Sequence, residues 1–306
     1  MKILYDTIII GSGPAGLTAG IYGKRAELSI LIIEKDPMSG GQIINTYEVD
    51  NYPGLPGITG FELATQFREH CNKLGVSFVE GEVIRADLEG DVKKIWINDK
   101  EVYEAKTVII AGGAVNRKLR IPGEKEFAGK GVSYCATCDG AFFKNQEVIV
   151  VGGGDVAVED AIFLGRGCKK VSLIHRRDQL RAAKTLISKL ESMDNIEVVW
   201  DSVVEKIEGK DFVESVTIRN LKTMEEKKCK AEGVFVAVGT IPNTEIYGDI
   251  LDLNENGYIV AGENCATNVE GVYAAGDIRQ KHLKQIITAA ADGANAITTV
   301  EQYLNK

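Results

Sequence analysis

Two segments of the chain, about 140 residues apart, repeat the same local pattern. In each, a strand-like run of apolar residues leads into a glycine-rich turn, and a helical stretch follows. The first run is Asp6–Ile10, followed by Gly11, and the second is Glu147–Val151, followed by Gly152. Continuous apolar runs without alternation are typical of parallel strands that are buried on both faces of a sheet. The repeat therefore predicts an α/β fold that contains two β-α-β units.

The first turn has the spacing of a dinucleotide-binding fingerprint. Gly11, Gly13 and Gly16 occupy the three glycine positions of G-x-G-x-x-G. The first permits a tight turn, the second lets a pyrophosphate approach the backbone, and the third allows close packing of helix on strand. Glu34 follows 23 residues after Gly11, at the end of the next strand, where a carboxylate can accept from ribose hydroxyls. A glycine-rich turn without ligand remains an alternative, and the motif does not separate FAD from NAD.

The second turn differs from the first at the position that contacts the ribose. Counting 23 residues from Gly152 gives His175 in place of an acid. A carboxylate would repel a 2′-phosphate, whereas guanidinium groups bind it with charge-assisted hydrogen bonds. The second site is therefore expected to take NADPH, although a basic face at the start of a helix is the alternative. The residues that carry this expectation are Gly152, Gly154, Ala157, His175, Arg176, Arg177 and Arg181.

A pair of cysteines lies just before the second unit, in the run Cys135-Ala136-Thr137-Cys138. Two cysteines at this spacing can close and reopen a small disulfide ring, one as attacking thiol and the other as resolving partner. Asp139 follows directly and could exchange a proton with a departing thiolate. The alternatives are half of a zinc site and an inert pair. Structural zinc needs four ligands, and no second Cys-x-x-Cys is present.

Composition excludes several other classes. The 306 residues carry a net charge of −8 and no Lys/Arg-rich run, which argues against nucleic acid as a partner. No apolar stretch is long enough to cross a bilayer, and Asp6 interrupts the first apolar run, so a buried strand is expected there in place of a signal peptide. A cytoplasmic location is expected. The three histidines, His70, His175 and His282, do not cluster, and no metal site is expected.

The order of the segments predicts that one domain is inserted into the other. The second turn begins well after the first unit is complete, and the late segment Gly276-Asp277 needs a place near the first nucleotide site. We expect one domain made of residues 1–113 and 246–306, and a second of residues 117–242 that carries the cysteine pair. A meander is expected from about Phe78 to Val108, and a C-terminal helix from about Leu283 to Tyr303, with Gly293 in its interior.

Taken in order, these motifs resemble low-molecular-weight thioredoxin reductases of the bacterial and archaeal type, within the class II pyridine nucleotide-disulfide oxidoreductases. The resemblance covers essentially the whole chain. The segments that carry it are Gly11-Ser12-Gly13-Pro14-Ala15-Gly16, Gly40-Gly41-Gln42, Asn51-Tyr52-Pro53-Gly54, Cys135-Ala136-Thr137-Cys138-Asp139-Gly140, Gly152 to Ala157, His175-Arg176-Arg177 to Arg181, and Ala275-Gly276-Asp277.

The resemblance implies two Rossmann-like dinucleotide-binding domains, the NADPH domain being inserted into the FAD domain. It implies FAD on Gly11, Ser12, Gly13, Ala15, Gly16, Glu34, Gly41, Gln42, Asn51, Val83, Gly276, Asp277, Lys284, Gln285 and Ile286. It implies NADPH on Gly152, Gly154, Asp155, Ala157, His175, Arg176, Arg177 and Arg181. By the family pattern Cys138 faces the flavin, Cys135 attacks the disulfide of thioredoxin or a similar small protein, Asp139 is the acid/base, and the enzyme is a homodimer.

Three positions depart from the usual family pattern. Gly112 stands where Thr is more common, Lys284 where Arg is frequent, and Val156 where Ser is frequent. None of them removes a catalytic group, but Gly112 and Lys284 leave the potential of the flavin open. Three tyrosines fit either a position near FAD or the hydrophobic core: Tyr22, Tyr47 and Tyr52.

Three other functions compete with a thioredoxin reductase. A flavoenzyme of the same fold could take electrons from ferredoxin, or act as a dithiol oxidase that passes electrons to oxygen. Neither of these two enzymes needs the second glycine fingerprint or the arginines, and this chain has both features. A nucleotide-binding scaffold without turnover would not need the Cys-Ala-Thr-Cys-Asp segment.

Overall fold

The computed structural model describes residues 3–46, 49, 51–98 and 101–306. The strands are β1 (Leu4–Ile10), β2 (Ile30–Glu34), β3 (Ser77–Glu80), β4 (Val83–Asp87), β5 (Lys93–Ile97), β6 (Glu101–Ile110), β7 (Ala114–Asn116), β8 (Val132–Ser133), β9 (Glu147–Gly152), β10 (Lys170–Ile174), β11 (Ile196–Val199), β12 (Ser202–Gly209), β13 (Val213–Asn220), β14 (Glu226–Lys230), β15 (Gly233–Ala237), β16 (Thr240–Pro242) and β17 (Val272–Ala274). The helices are α1 (Pro14–Arg25), α2 (Gly60–Lys73), α3 (Ala136–Asp139), α4 (Asp155–Gly165), α5 (Lys184–Glu191) and α6 (Ile286–Leu304), with 3₁₀ turns at Gly41–Asn45 and Gly140–Phe143.

The chain divides into two compact units. The first consists of Met1–Val115 and Ile241–Lys306, and the second of Asn116–Thr240. The second unit is therefore an insertion in the sequence of the first, and the chain crosses between the units twice. Strands β7 and β16, at the two crossings, pair as a separate two-stranded sheet.

The first unit is built on one mixed sheet with the order β3-β2-β1-β6-β5-β4, and β17 also pairs with β6. The long strand β6 explains this branch. Its first half, Glu101–Ala105, pairs antiparallel with β5, while Val108–Ile110 pair parallel with β17. The meander predicted from about Phe78 to Val108 is antiparallel only over β4-β5-β6, because β3, which contains Phe78, pairs in parallel with β2. The parallel part β3-β2-β1-β6-β17 carries the first glycine-rich turn at the carboxyl end of β1.

Helices α1 and α6 pack closely on each other in the first unit, because small residues face the contact. A Cβ on Gly293 would lie only 2.2 Å from the carbonyl oxygen of Ala15. The interior glycine of α6 therefore lets this helix approach the beginning of α1. The predicted C-terminal helix begins at Ile286, where Gln285 and Thr288 form a capping box.

The second unit contains a parallel sheet with the order β11-β10-β9-β15-β8 and a separate antiparallel sheet β12-β13-β14. Strand β9 leads into the second glycine-rich turn and then α4, and β10 lies beside β9 in parallel register. Strand β9 covers the predicted run Glu147–Val151. The adjacent central strands β9 and β15 are almost wholly buried, as expected for a parallel sheet covered on both faces.

Candidate active site

The first glycine-rich turn lies between β1 and α1. A Cβ on Gly11, where φ is +102°, would lie 2.5 Å from the carbonyl oxygen of Ala111, and a Cβ on Gly16 would lie 1.9 Å from the carbonyl oxygen of Gly11. These two glycines are required by the packing of the turn itself. Gly13 is different, because the nearest atom to a Cβ there is the carbonyl oxygen of Gly40 at 3.9 Å. The open position at the start of a helix fits a bound pyrophosphate.

The acid at the end of β2 is tied to the first turn. Oε2 of Glu34 accepts hydrogen bonds from the backbone N–H and the hydroxyl of Ser12, both at 2.7 Å, and Oε1 accepts from the N–H of Asp36 at 3.1 Å. Glu34 therefore fixes the turn in addition to any contact with a ribose. Gly276 is brought to the same place, since a Cβ there would lie 2.9 Å from the Cβ of Ala15.

Asp277 carries a buried oxygen without a partner. Its Oδ1 makes no hydrogen bond, and among the described residues only one other buried side-chain atom, Nε of Arg219, shares this state. Burial raises the pKa of Asp277, and Lys281 and Lys284 counteract the rise only in part. An unpaired buried acceptor costs about 1–3 kcal/mol, which a hydroxyl of a bound ligand can offset. The orphaned oxygen beside the open glycine turn fits the sugar hydroxyls of a flavin dinucleotide.

A second buried acid, Asp292 of α6, lies beneath the Gly276–Asp277 turn. Its Oδ2 accepts from the backbone N–H of Gly276 at 2.8 Å and from Nζ of Lys281 at 2.9 Å. Arg279 forms a two-pronged pair with it, Nε to Oδ2 at 2.8 Å and Nη2 to Oδ1 at 2.6 Å. Burial favours a raised pKa for Asp292, but the hydrogen bonds from Arg279 and Lys281 outweigh it and hold the pKa below its usual range.

Segments far apart in the sequence meet around the first turn. Nδ2 of Asn51 donates to Oε1 of Gln285 at 2.9 Å across 234 residues. Ile286 packs on a small cluster of buried apolar side chains that the 3₁₀ turn Gly41–Asn45 and α2 contribute to. Gly41 lies against Gly13, since a Cβ on Gly41 would be 3.5 Å from the Cα of Gly13.

Three predicted FAD residues have neighbours within the protein itself. Nε2 of Gln42 donates to the carbonyl oxygen of Ala114. Nζ of Lys284 lies 3.2 Å from the centre of the Tyr258 ring, a cation–π contact. Val83 is the first residue of β4 and is partly buried. Of the three tyrosines considered from the sequence, Tyr22 is exposed, Tyr52 packs edge-on against Phe67, and Tyr47 lies outside the described residues.

In the second glycine-rich turn, as in the first, one glycine is required by packing and another leaves open space. A Cβ on Gly152 would lie 2.5 Å from the Cβ of Ala157, so this glycine is required by packing. Gly154, the residue before α4, has no atom within 4 Å of a Cβ position, so the protein leaves room there. Asp155, the first residue of α4, has a partner within the protein, because its Oδ1 accepts from the backbone N–H of Ala183 at 2.7 Å. The open start of α4 fits the pyrophosphate of a second dinucleotide.

His175 is buried beneath the second turn. Its Nδ1 lies 2.9 Å from the carbonyl oxygen of Gly152 and its Nε2 lies 2.9 Å from the carbonyl oxygen of Gln179. The ring is so close to Gly153 that a Cβ there would fall 2.1 Å from Nδ1. The sequence predicted His175 as part of the NADPH pocket, and the structure directs both of its nitrogens to backbone. His175 thereby joins the glycine-rich turn to the loop that follows β10.

The three arginines lie on that loop with exposed side chains. The backbone N–H of Arg181 donates to the carbonyl oxygen of Gly153 at 2.7 Å, so the loop is anchored to the turn at both His175 and Arg181. Arg176 and Arg177 follow His175 directly. Exposed arginines on a loop whose backbone is anchored to the turn before α4 fit the 2′-phosphate of NADPH.

Cys135 and Cys138 are joined by a disulfide, with their Cα atoms 5.3 Å apart. Cys135 is the residue before α3 and Cys138 lies within it. Both side chains are partly exposed, and Sγ of Cys135 lies 3.4 Å from the hydroxyl of Thr137. The alternative of half a zinc site does not fit a closed disulfide.

The other cysteines are free thiols in a different environment. Burial raises the pKa of Cys71 and Cys265 to about 12 and that of Cys168 to about 11. Cys229 is partly buried in β14. Buried thiols with raised pKa values are poor nucleophiles, so Cys71, Cys168 and Cys265 do not compete with the disulfide pair in thiol chemistry.

Asp139 lies next to the disulfide and is largely enclosed. Burial raises its pKa, and a hydrogen bond from the hydroxyl of Ser133, at 2.5 Å to Oδ2, opposes the rise. A carboxyl with a raised pKa beside a disulfide can deliver a proton to a departing thiolate at a pH where an ordinary carboxyl has none.

Two groups at these sites were not found from the sequence. Ser133 contacts Asp139 across six residues, and Asp292 contacts Gly276 across sixteen. Neither belongs to a motif, and only the tertiary structure brings them to their partners. A third contact, from the hydroxyl of Tyr134 to Oε1 of buried Glu124 at 2.9 Å, fixes the segment just before Cys135.

Two features are absent from the part of the chain that the structure describes. There, no helix combines the length and the apolar character that a membrane span requires. The same residues contain no group of three His, Cys, Asp or Glu side chains arranged to hold a metal ion.

A disulfide beside a buried carboxyl, in a chain with two dinucleotide-type turns, defines the class of nucleotide-dependent disulfide oxidoreductases. The chain belongs to the pyridine nucleotide-disulphide oxidoreductase family, whose model matches residues 5–293.

Curated relatives and solved structures narrow this class. The chain is 46% identical to a thioredoxin reductase of Peptoclostridium acidaminophilum, over 99% of this chain and 98% of that protein. It is 44% identical to a thioredoxin reductase of Bacillus subtilis strain 168, over 99% and 96%. A crystal structure of thioredoxin reductase from Streptococcus pyogenes superposes with a TM-score of 0.93 at 46% identity, covering 100% and 99% of the two chains. The predicted α/β class with two dinucleotide-binding domains is confirmed by these structures.

Proposed function

We propose that the chain is a thioredoxin reductase. It takes reducing equivalents from NADPH and delivers them, through bound FAD and the Cys135–Cys138 pair, to the disulfide of thioredoxin or a similar small protein. The observation that carries the proposal is the closed Cys135–Cys138 disulfide beside the enclosed carboxyl of Asp139. Relatives named thioredoxin reductase, 42–46% identical over nearly the whole chain, support it.

The first unit is proposed to hold FAD and the second NADPH. For FAD the support is the open position at Gly13 and the orphaned Oδ1 of Asp277. For NADPH the support is the open position at Gly154 and the exposed arginines of the loop after β10. When bound, FAD supplies the redox chemistry that links a hydride from NADPH to the two-electron reduction of the Cys135–Cys138 disulfide.

The protein's own residues then carry out the exchange with the partner. Cys135, as thiolate, attacks one sulfur of the partner disulfide, whose S–S bond breaks as a mixed disulfide forms. The departing partner thiolate takes a proton from Asp139. The Cys138 thiol gives its proton to the Asp139 carboxylate and attacks Sγ of Cys135, so that the internal disulfide reforms. The second partner thiolate leaves and takes that proton from Asp139. The balance is one dithiol oxidised for each partner disulfide reduced.

The proposal extends to assembly and location. We infer a homodimer, as the family resemblance implies, and the first unit exposes large apolar side chains that a second copy could cover, among them Tyr22, Phe61 and Leu283. A cytoplasmic location is inferred because a reducing compartment suits a dithiol that must be regenerated. Sedimentation equilibrium of the flavin-bound protein tests the first inference.

An anaerobic absorbance titration tests the function. Purified protein is titrated with NADPH and separately with NADH, and oxidised bacterial thioredoxin is then added. Loss of flavin absorbance at much lower NADPH than NADH, reversed by thioredoxin, is the expected result. Cys135→Ser is the matched variant, since it keeps the flavin and nucleotide sites and should bleach with NADPH without reducing thioredoxin. If neither nicotinamide bleaches the wild-type flavin, the NADPH assignment is wrong and a ferredoxin-linked enzyme or a dithiol oxidase takes its place.

A further inference from the structure

The hydroxyl of Ser133 lies between the two groups that the exchange reaction needs. It donates to Oδ2 of Asp139 at 2.5 Å and accepts from the backbone N–H of Cys135 at 3.1 Å. The carbonyl oxygen of Cys135 lies further away, at 3.3 Å. A serine hydroxyl has one proton, and Ser133 donates it to Asp139, the nearer acceptor. The hydroxyl therefore links the carboxylate to the backbone of the attacking cysteine.

Ser133 is held independently of the dithiol segment. It is buried in β8, where Val132 and Ser133 pair in parallel with Val234 and Phe235 of β15. Asp139, in contrast, is the last residue of the four-residue helix α3. A side chain fixed by a sheet gives a more exact position than one fixed by a short helix in a connecting segment. Ser133 therefore positions Asp139, and not the reverse.

We propose that Ser133 is a positioning residue for the acid/base Asp139 and for the backbone of Cys135. Its hydroxyl holds one oxygen of the Asp139 carboxyl, so that the other is available to give a proton to the departing thiolate. This proposal rests on the proposed function, because it assigns Ser133 a part in the same thiol–disulfide exchange. General acid catalysis contributes about 10²- to 10⁴-fold, and misplacement of the acid forfeits part of that factor.

Burial and the hydrogen bond from Ser133 are the causes of the pKa shift of Asp139. The elements that contact α3 most extensively are α4 and the 3₁₀ turn Gly140–Phe143. The turn carries no charged side chain, and α4 carries the acids Asp155, Glu159 and Asp160. These three acids are the same in every variant below. A change in the pH dependence of kcat that appears only when Ser133 is replaced is therefore assigned to Asp139.

The test compares Ser133→Thr with Ser133→Val in the flavin-bound protein, because Thr and Val have the same shape and differ in the hydroxyl. NADPH-driven reduction of oxidised bacterial thioredoxin is measured from pH 6 to 9. Ser133→Thr is expected to keep most of kcat, whereas Ser133→Val loses about tenfold. The hydrogen bond from Ser133 lowers the pKa of Asp139, so its loss should move the alkaline limb of kcat to higher pH in Ser133→Val and not in Ser133→Thr.

A second comparison asks whether Ser133 acts through Asp139. Ser133→Ala is combined with Asp139→Asn, and the double variant is expected to be no slower than Asp139→Asn alone. Ser202→Ala is the control, since Ser202 is equally buried in the same unit and its hydroxyl bonds only the carbonyl of Trp200, at 2.7 Å. Flavin content and melting temperature are measured for each variant.

Each outcome decides the matter. Equal kcat and equal pH limbs for the Thr and Val variants, or a further tenfold loss of Ser133→Ala in the Asp139→Asn background, would overturn the role of Ser133 while the proposed function stands. A wild-type protein that does not reduce thioredoxin with NADPH would overturn both.

Discussion

The carboxylate of Asp292 accepts a hydrogen bond from the backbone N–H of Gly276 at 2.8 Å. Gly276 directly precedes Asp277, whose buried Oδ1 has no hydrogen-bond partner. Asp292 also holds Arg279 and Lys281, whose charged groups are themselves mostly buried. The turn that presents Asp277 is thus fixed from α6 by one acid that three donors share.

Replacing Asp292 should loosen the turn and leave the charges of Arg279 and Lys281 buried without a counter-charge. We expect Asp292→Asn to lower the free energy of unfolding by about 3–5 kcal/mol, since breaking a buried pair leaves an uncompensated charge. We also expect weaker retention of FAD, measured by absorbance after gel filtration. Glu197→Gln is the control, because its pair with Lys170 at 2.6 Å is exposed and should contribute less than about 1 kcal/mol. Equal effects of the two substitutions would contradict this assignment.

The glycines of the two turns make a matched set of substitutions. Gly13→Ala and Gly154→Ala meet no protein atom closer than 3.9 Å, so the apoprotein should keep its stability. Each should nevertheless weaken one dinucleotide, Gly13→Ala the FAD and Gly154→Ala the NADPH, because a methyl group fills the space for the pyrophosphate. Gly16→Ala is the opposite case, since its Cβ would lie 1.9 Å from a carbonyl oxygen. Thermal unfolding and dinucleotide titration separate the two effects. Unchanged affinity in Gly13→Ala and Gly154→Ala would contradict the placement of the ligands.

The arginine loop should determine the preference for NADPH. A hydrogen bond to a charged group contributes about 1.5–3 kcal/mol, so Arg176→Ala or Arg177→Ala should raise the KM for NADPH about tenfold or more. The KM for NADH should change little, because NADH lacks the 2′-phosphate. Arg166→Ala, at the exposed end of α4, is the matched control. Parallel increases in both KM values would mean that the arginines support the loop and do not bind the phosphate.

The parts of the fold that follow from local pattern were accessible to sequence reasoning. Strands β1 and β9 and the glycine-rich turns could be placed because continuous apolar runs and glycine spacing are local signals. The sheet β12-β13-β14 gave no such signal. Its edge strand β14 reads Glu-Lys-Lys-Cys-Lys and is nearly all exposed, so it is a strand only because β13 pairs with it.

The residues of the candidate sites, too, were only partly predictable from the sequence. Counting from Gly152 located His175, but the count could not show that its two nitrogens each lie 2.9 Å from a backbone carbonyl oxygen, of Gly152 and of Gln179. Ser133 and Asp292 could not be found at all, because their roles depend on burial and on a partner outside any motif. Motifs locate the groups that contact a ligand, whereas the groups that hold them in place emerge only from packing.

Asp160 of α4 makes the stability of the second unit depend on pH. Burial, and then the charge of Glu159, raises its pKa from 3.8 to about 7. In the unfolded chain the group titrates near the lower value. Between about pH 4 and 7 the folded protein therefore keeps a proton that the unfolded chain has lost, and the free energy of unfolding falls as the pH rises through this window.

Asp160→Asn should remove this dependence, because the amide resembles the protonated acid. At pH 4 the variant and the wild type should unfold with similar free energies, since Asp160 is protonated in the folded wild type. At pH 8 the variant should be more stable, by roughly 1.4 kcal/mol for each unit of pKa shift that the burial causes. Urea unfolding followed by circular dichroism at the two pH values measures the difference, with the exposed Asp194→Asn as control. A gain that is the same at pH 4 and pH 8 would show that the amide helps by packing, and that Asp160 does not carry the buried charge.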